Sequence, residues 1–543
     1  MRHMPNPRVF TCSLCRAKPG RGQTRLPRII NSCYSSLSKS NKDVRRQRVV
    51  ILGSGWAGYT FSRTLDPSKY ERIVISPRSY FVFTPLLAST SVGTLEFRAV
   101  LEPVRRLPGG VRFHQGWADE VDFSRKVVRV EANAVDPLPD AMPPSTSPNP
   151  SQPLRGELFD VEYDKLVIAV GAYSQTFGIQ GVREHAHFLR DVGDARRIRL
   201  RVLSLFEQCS YPTRPDNKDG SIATNPLSEE DKRSLLHFVI VGGGPTGIEF
   251  AAELHDLIHE DLKAMYPELI PLVRITVYDI APKVLPMFDQ ALANYAMEHF
   301  ARQGIQVRTE HHLERVRVAD GDLGRAHGGL SIKIKEYGEK EVNAGLVVWS
   351  TGLMQNPFVE QVVGKEFAIN DGSESGQSKT DQHRLLKDQK TGGIVTDRYL
   401  RARITKDHDS SIGATDAVLP DVFVIGDCAV MENDRSLPKT AQVASQQAGH
   451  LAKQLNKSIQ TSPTPTDVSN AWKPFKFRNW GTLTYLGGWK AIHQSSADEL
   501  RGWVAWIVWR GAYLTRSMSV RNKLMVPVYW FVSWVFGRDI SRF

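Results

Sequence analysis

Short apolar runs that lead into glycine recur along the chain and predict buried β-strands. The run at 49–52 is followed by a glycine-rich turn and a helical pattern to residue 65, and the same order returns at 239–254. Three further runs of this kind lie at 163–172, 344–357 and 421–430. Apolar strands that alternate with helices are typical of parallel sheets covered on both faces. The pattern therefore predicts an α/β protein with an internal repeat.

Each glycine-rich turn has the chemistry of a dinucleotide cradle. The glycines are Gly53, Gly55 and Gly58 in the first turn and Gly242, Gly244 and Gly247 in the second. They permit the tight turn, the close approach of the backbone and the packing of helix on strand, and the helix N-terminus faces the pyrophosphate. One such motif is a weak signal. Two of them, each with a later strand ending in Gly171 or Gly352, indicate two dinucleotide sites.

The two sites differ at the position that contacts a ribose. The first copy has Ser76, Pro77 and Arg78 there, whereas the strand of the second copy ends at Asp279. An acid at this position accepts hydrogen bonds from a ribose 2′-OH and repels a 2′-phosphate, which favours NADH over NADPH. The alternative interpretation is a solvated acid at a strand end.

The strand at 421–430 contains a Gly-Asp pair that indicates which site holds a flavin. Asp427 is suited to bond a ribitol chain, and Gly426 allows a close approach of the backbone. A plain strand cap is the alternative role for the aspartate. We therefore predict a bound flavin in the first domain and a nicotinamide dinucleotide that exchanges in the second.

Hydride transfer from a nicotinamide to a flavin leaves two electrons that need an acceptor. The sequence does not predict a cysteine pair in this role. Disulfide reductases of this architecture place a cysteine pair soon after the first glycine turn, and residues 80–94 contain no cysteine. Cys12, Cys15 and Cys33 lie in a basic N-terminal segment, which leaves only Cys209 and Cys428. A lone CxxC at 12–15 is weak support for a metal, and we predict no metal site.

The positive charge of the chain is concentrated at its ends. The formal net charge is +12, and residues 1–48 hold twelve Lys and Arg against one acid. Their Arg-rich, Ser-rich, acid-poor composition is typical of a mitochondrial transit peptide, which we place at 1–40, although a disordered basic tail is the alternative. The body of the chain is slightly acidic, which argues against a nucleic-acid surface.

The last 70 residues are rich in aromatic side chains. Trp503, Trp506 and Trp509 cluster at near-helical spacing between arginines, and residues 520–543 add Trp530 and Trp534. Tryptophan with flanking arginine suits an amphipathic anchor at a membrane interface, whereas no run reaches the length of a spanning helix. A packing surface for a dimer is the alternative.

Several motifs together resemble the type II NADH:ubiquinone oxidoreductases, the alternative enzymes that do not pump protons, of the fungal mitochondrial type. They are SPRSYFVFTPLL, GGGPTGIEFAAEL, VVWSTG, FVIGDC and LPKTAQVASQQAG, and the resemblance covers about 48–543. It implies a glutathione-reductase-like flavoprotein with non-covalent FAD, NADH as substrate and ubiquinone as acceptor. It also implies a homodimer attached to a membrane surface by C-terminal amphipathic helices.

The resemblance assigns further residues to the site. It places Thr84 and Pro85 near the flavin ring and Glu249 near the nicotinamide. A first-turn acid favoured by the helix dipole is the alternative for Glu249. The helix beginning after the predicted N-cap Thr440 would line the quinone pocket, with Gln442 and Gln446 on one face to bond a quinone carbonyl. A solvated face is the alternative for these glutamines.

The expected domains follow from these assignments. They are an FAD-binding domain in two parts (48–232 and 366–458), an NADH-binding domain (233–365) and a C-terminal membrane and dimer region (470–543). We expect a peripheral enzyme of the mitochondrial inner membrane, on its matrix face. The alternatives are an apoptosis-inducing-factor-like NADH flavoprotein with another acceptor, and a membrane-docked flavin protein without turnover.

Overall fold

The computed structural model describes residues 45–133, 156–211, 227–368, 382–406, 417–458, 472–495, 498–516 and 519–542. The predicted transit peptide, with its three cysteines, lies outside these ranges. The Pro-rich polar stretch 136–156, which the sequence predicts to be a surface insertion, lies outside them except for Gly156, as does the predicted Pro/Ser/Thr-rich linker 460–468.

The first sheet is built around the strand Gln47–Leu52, whose last four residues are fully buried. It pairs in parallel with Tyr70–Ser76 on one side and with Lys165–Ile168 on the other. Val418–Val424 then pairs in parallel with Lys165–Ile168. Burial on both faces explains why these strands read as continuous apolar runs. The sheet is thus completed by a strand that follows the second domain in the chain.

Two further groups of strands extend the first sheet at its edges. One group is Arg112–Asp122, Val127–Ala132 and Leu158–Glu162. The other group is Phe367–Ala368, Gln382–Leu385, Ile394–Thr396, Arg401–Thr405 and Ala429–Met431. A separate two-stranded ribbon joins Tyr80–Val82 to Leu101–Pro103.

The second sheet is wholly parallel. Its strands, in spatial order, are His187–Phe188, Leu346–Trp349, His237–Val241, Arg274–Tyr278 and Gln306–Arg308. The strand His187–Phe188 belongs here although it precedes residue 232, where we expected the first domain to end. The boundary between the sheets therefore lies earlier in the chain than expected, because this strand is only two residues long and carries no glycine signal. An antiparallel sheet of Leu313–Val318, Leu330–Ile334 and Glu341–Ala344 accompanies the domain.

Helices cover both sheets. The longer ones are Trp56–Thr64, Val192–Ser210, Glu229–Leu235, Pro245–Asp256, Gln290–Arg302, Pro357–Gly364 and Ala441–Ser458. We call Trp56–Thr64 the first dinucleotide helix, Pro245–Asp256 the second dinucleotide helix and Ala441–Ser458 the glutamine helix. The first dinucleotide helix packs along the glutamine helix. The second dinucleotide helix continues directly into a π-helix at Leu257–Leu262.

The C-terminal region is a small sheet followed by two helices. The strands Thr482–Gly487, Lys490–Gln494 and Glu499–Gly502 form an antiparallel meander. The C-terminal helices Trp503–Arg516 and Val520–Phe536 follow it. Their buried residues, which include Trp509 and Trp530, join the same core as the two dinucleotide domains. Their opposite faces expose large apolar side chains, and no helix in the described ranges is long and apolar enough to cross a membrane.

Candidate active site

The first glycine turn has the geometry of a dinucleotide cradle. Gly53 has a φ of +105°, which disfavours any side chain, and its N–H donates to the carbonyl of Ile75 at 2.8 Å. A Cβ added at Gly58 would lie 2.0 Å from the Gly53 carbonyl oxygen, so only glycine lets the helix pack this closely on the turn. A Cβ at Gly55 would meet nothing within 4 Å. The space in front of Gly55 is therefore open to a ligand.

The second glycine turn repeats this geometry. Gly242 has a φ of +115°, and its N–H donates to the Tyr278 carbonyl at 2.8 Å. A Cβ at Gly247 would lie 2.0 Å from the Gly242 carbonyl oxygen, and Gly244 again faces open space. The repeat inferred from the sequence is therefore a repeat of backbone geometry at two separate sites.

The two later glycine positions bring the domains together. Gly171 and Gly352 have φ values of +70° and +74°. The strands that follow them, Ala172–Ser174 and Leu353–Gln355, pair with each other in antiparallel fashion. The two glycine-ending strands thus lead into one connection between the sheets, at the ends where the glycine turns lie.

Asp279 lies against the second glycine turn. One carboxylate oxygen accepts a hydrogen bond from the Gly243 N–H and the other accepts one from the Ala281 N–H at 2.7 Å. The acid is thus held beside the cradle rather than being a free strand end. At the matching place in the first domain, the hydroxyls of Ser54 and Ser76 are hydrogen-bonded at 2.9 Å.

Asp427 lies in a cavity beside the first glycine turn. Gly426 has a φ of +81°, and a Cβ there would approach Ala57 of the first dinucleotide helix to 3.1 Å. Burial raises the pKa of Asp427, and the cations of Arg190 and Lys439 oppose this effect. In the described part of the chain, no group donates a hydrogen bond to its carboxylate. A half-buried carboxylate with no donor among the described residues is suited to accept a ligand hydroxyl.

Sequence reasoning missed two cations at this site. Arg190 is half-buried, and its buried Nη1 has no hydrogen-bond partner among the described residues. Lys439 lines the same cavity as Asp427, and its ammonium group donates to the Ala429 carbonyl. Lys439 lies within the motif LPKTAQVASQQAG, but the motif assigns this lysine no role. Arg190 lies in no motif.

Thr84 and Pro85 form a short 3₁₀ turn, Thr84–Leu86, next to the first cradle. The indole N–H of Trp56, the residue after Gly55, donates to the Thr84 hydroxyl oxygen at 2.9 Å. The predicted flavin contact is therefore tied directly to the first glycine turn. This Trp–Thr bond has no signature in either motif alone.

The glutamine helix presents Gln442 and Gln446 to the backbone of the C-terminal region. The Gln442 amide accepts from the Trp480 N–H at 3.1 Å and donates to the Gly481 carbonyl at 3.3 Å. Gln446 bonds both backbone groups of Arg478, at 2.8 and 3.0 Å. Both side chains share one face, as the i,i+4 spacing predicts, but they hold a polypeptide segment. The Thr440 hydroxyl caps the helix by accepting from the Val443 N–H at 3.4 Å.

Glu249 is buried where the second dinucleotide helix meets the C-terminal region. It accepts hydrogen bonds from the Tyr485 N–H at 3.2 Å and the Trp509 indole N–H at 3.3 Å. Burial raises the pKa of Glu249 to about 8. Tyr513, one helical turn beyond Trp509, packs edge-on against Phe83 beside the Thr84 turn. Both dinucleotide domains and the C-terminal region thus converge around Glu249 and Thr84.

Comparison with known proteins identifies this arrangement. The sequence model of the pyridine nucleotide-disulphide oxidoreductases matches residues 47–448, and that of the NDH2 C-terminal domain matches residues 480–539. The probable NADH dehydrogenase of Dictyostelium discoideum is 36% identical over 512 residues, with 93% of each chain covered. The chain belongs to the type II NADH dehydrogenase family. The family inferred from the sequence motifs is thereby confirmed.

Further relatives agree with this membership, and a solved structure shares the fold. The external alternative NAD(P)H-ubiquinone oxidoreductase B1 of Solanum tuberosum mitochondria is 32% identical, over 94% of this chain and 93% of its own. An internal enzyme of the same plant, A1, is 33% identical over 93% and 90%. The NDH2 structure from Plasmodium falciparum with NADH covers 92% of this chain and 100% of its own, with a TM-score of 0.72 at 22% identity. This likeness confirms the predicted flavoprotein fold.

Proposed function

We propose that this protein oxidises NADH and reduces ubiquinone through a non-covalently bound FAD, without pumping protons. The observation that carries the proposal is the meeting of three parts. Each glycine cradle leaves open space at its middle glycine, and the strands Ala172–Ser174 and Leu353–Gln355 join the two dinucleotide domains. The C-terminal region contacts both domains through bonds to Glu249, Gln442 and Gln446. A reaction that links two dinucleotides to an apolar acceptor requires such a meeting point.

The first domain fits FAD. The open space at Gly55 receives a pyrophosphate, and the unsatisfied Asp427 carboxylate accepts ribitol hydroxyls. The half-buried Arg190, whose Nη1 has no partner among the described residues, supplies a positive charge for an anionic group of the cofactor. When bound, FAD accepts a hydride from NADH and delivers two electrons to ubiquinone. Thr84, held by Trp56, fixes the polypeptide at the ring.

The second domain fits NADH. The open space at Gly244 receives the pyrophosphate, and Asp279 beside it accepts the ribose hydroxyls and repels a 2′-phosphate. Glu249 follows Gly247 in the same helix and marks the nicotinamide end of the site. Its burial against Trp509 excludes water from the place where hydride transfer occurs.

The quinone site lies between the glutamine helix and the C-terminal region. Gln442 and Gln446 hold residues 478–481 as one wall of this site. The predicted bond from either amide to a quinone carbonyl requires one of these backbone bonds to open. The N-terminus of the glutamine helix, capped by Thr440, adds a positive dipole end next to Gly426.

We propose that the protein acts at the mitochondrial inner membrane as a peripheral homodimer on the matrix face. The named plant relatives are mitochondrial, and they include both external and internal enzymes. The exposed apolar faces of the C-terminal helices support attachment to the membrane interface. The Arg-rich, acid-poor composition of residues 1–48 supports delivery to the mitochondrion.

The first experiment measures NADH oxidation by the purified protein with and without a short-chain ubiquinone, with NADPH in parallel. Fast, quinone-dependent oxidation of NADH and little oxidation of NADPH are expected. Reduction of the flavin by NADH without stimulation by quinone contradicts the acceptor and favours the apoptosis-inducing-factor-like alternative. A flavin that NADH does not bleach without oxygen indicates a protein without turnover.

A further inference from the structure

One face of the second dinucleotide helix carries a line of acids, of which the proposed reaction uses only the first. Glu249, Glu253 and Asp256 are three or four residues apart, so they share one face, and all three are buried. The π-helix that follows carries Glu260, whose side chain is 47% exposed. Acidic groups therefore extend from the active site to the protein surface.

Glu253 can exchange a proton without losing its hydrogen bonds. Its side chain is buried, and its two carboxyl oxygens accept from the Ser89 hydroxyl at 2.5 Å and the Thr94 hydroxyl at 2.9 Å. A hydroxyl can either donate or accept. When Glu253 is protonated, it can therefore donate to one of these same oxygens.

The charged and titratable groups around Glu253 come from four parts of the chain. They are Glu249 and Asp256 on its own helix, Tyr485 on the C-terminal meander, Arg510 on the first C-terminal helix and Arg538 after the second. Arg538 pairs with Glu260 at 2.7 Å and Asp261 at 2.6 Å. Arg510 lies over the indole rings of Trp506 and Trp530, at 4.2 and 4.4 Å from their centroids.

A cavity links Glu253 to the exposed Glu260. It has a volume of about 60 Å³, is walled by tryptophans of the C-terminal region, and is also lined by Thr94, Tyr485 and Arg510. A buried water needs about 10–15 Å³ of such volume and two or more polar partners. The cavity therefore has room for several waters, and its lining supplies their hydrogen bonds.

Reduction of ubiquinone by NADH requires one proton from solution in each turnover. NADH gives up two electrons and one proton as a hydride, becoming NAD⁺, while ubiquinone takes up two electrons and two protons to form ubiquinol. We propose that Glu253 passes the solvent proton from the hydrated cavity to Glu249 at the active site. This inference rests on the proposed function. Glu249 and Glu253 lie one helical turn apart, about 5–6 Å between Cβ atoms, so one water can bridge them.

The electrostatics support this route. Burial raises the pKa of Glu253, and Arg538 opposes the rise. Burial also raises the pKa of Glu249 to about 8, with a smaller contribution from the Glu253 charge. Glu249 can therefore hold a proton near neutral pH, which a carboxyl at the protein surface does not, and burial shifts the pKa of Glu253 in the same direction.

The test compares two acceptors in the Glu253→Gln variant. Transfer of electrons from NADH to ferricyanide consumes no solvent proton, whereas reduction of a short-chain ubiquinone does. We expect the quinone rate to fall at least about tenfold, with a ferricyanide rate and a rate of flavin reduction close to those of the parent. Glu298→Gln, at an exposed position on the helix Gln290–Arg302, is the matched control and leaves both rates unchanged.

Two further results keep the inference separate from the proposed function. In Glu253→Gln, the quinone rate should lose its dependence on pH. Glu253→Asp retains an acid, so it should restore this pH dependence and recover part of the quinone rate. An unchanged quinone rate in Glu253→Gln overturns the relay, as does an equal loss of both rates, which would indicate a structural role. If the parent protein itself shows no quinone-dependent rate, the proposed function fails instead.

Discussion

Gln447 on the glutamine helix accepts a hydrogen bond from the backbone N–H of Gly426 at 2.8 Å, and both groups are buried. This bond fixes the turn that presents Asp427. Replacing Gln447 by Leu leaves the N–H without a partner, which costs about 1–3 kcal/mol. We expect a lower midpoint of thermal unfolding and weaker retention of flavin. Gln447→Glu keeps the acceptor and should lose much less in both measurements.

The two cradles provide a direct test of which site holds which dinucleotide. An added Cβ meets nothing at Gly55 or Gly244, so alanine at either position should leave the fold intact while occupying space that a pyrophosphate needs. Gly55→Ala should purify with little flavin. Gly244→Ala should keep its flavin and show a raised KM for NADH. The reverse pattern would exchange the two assignments.

Gly247→Ala is the structural counterpart of that experiment. Its Cβ would lie 2.0 Å from the Gly242 carbonyl oxygen and 2.6 Å from the Ser350 hydroxyl. The helix must move off the strand to relieve these contacts. We expect loss of stability of about 1–3 kcal/mol, which is typical of overpacking, measured by denaturant unfolding. A variant as stable as Gly244→Ala would show that the turn is less rigid than its geometry indicates.

Backbone-defined features were predictable from the sequence, whereas side-chain partners across domains were not. The glycine turns follow from local rules. They need φ values of +105° at Gly53 and +115° at Gly242, which only glycine adopts readily. The bonds of Gln446 to Arg478 connect residues 32 positions apart, and no periodicity encodes such a pairing. The i,i+4 spacing correctly placed Gln442 and Gln446 on one face. It carried no information about what that face meets.

Asp279 should set the preference for NADH over NADPH. Asp279→Asn removes the negative charge and keeps an oxygen for the Gly243 N–H. Because hydrogen bonds to charged groups contribute about 1.5–3 kcal/mol, kcat/KM for NADH should fall about tenfold or more. The loss for NADPH should be smaller, since the repulsion of its 2′-phosphate is relieved. Equal losses for both substrates would contradict a direct contact with the ribose.

We expect the contribution of Glu249 to the free energy of unfolding to fall as the pH rises. Burial raises the pKa of its folded form from 4.5 to about 8, so the folded protein holds a proton that the unfolded chain releases. Its contribution to the free energy of unfolding therefore falls between pH 4.5 and 8. Glu249→Gln cannot ionise, so its stability relative to the parent should rise across this window. Parallel stability curves for parent and variant would contradict the buried, protonated acid.

Attachment to the membrane should depend on the exposed apolar face of the two C-terminal helices. Ile507 and Phe531 expose 51% and 59% of their surface, one on each helix. Burial of a large apolar side chain in the interface contributes about 1.5–3 kcal/mol, so the double variant Ile507→Asp/Phe531→Asp should bind vesicles at least about a hundredfold more weakly. Its oxidation of NADH with ferricyanide should be unchanged, because neither residue is buried in the core.

Leu158→Asp is the control for this experiment. Leu158 is 46% exposed on an edge strand of the first sheet, and the variant should bind vesicles as the parent does. Equal binding by all three proteins in flotation assays would show that these helices do not attach the enzyme to the membrane.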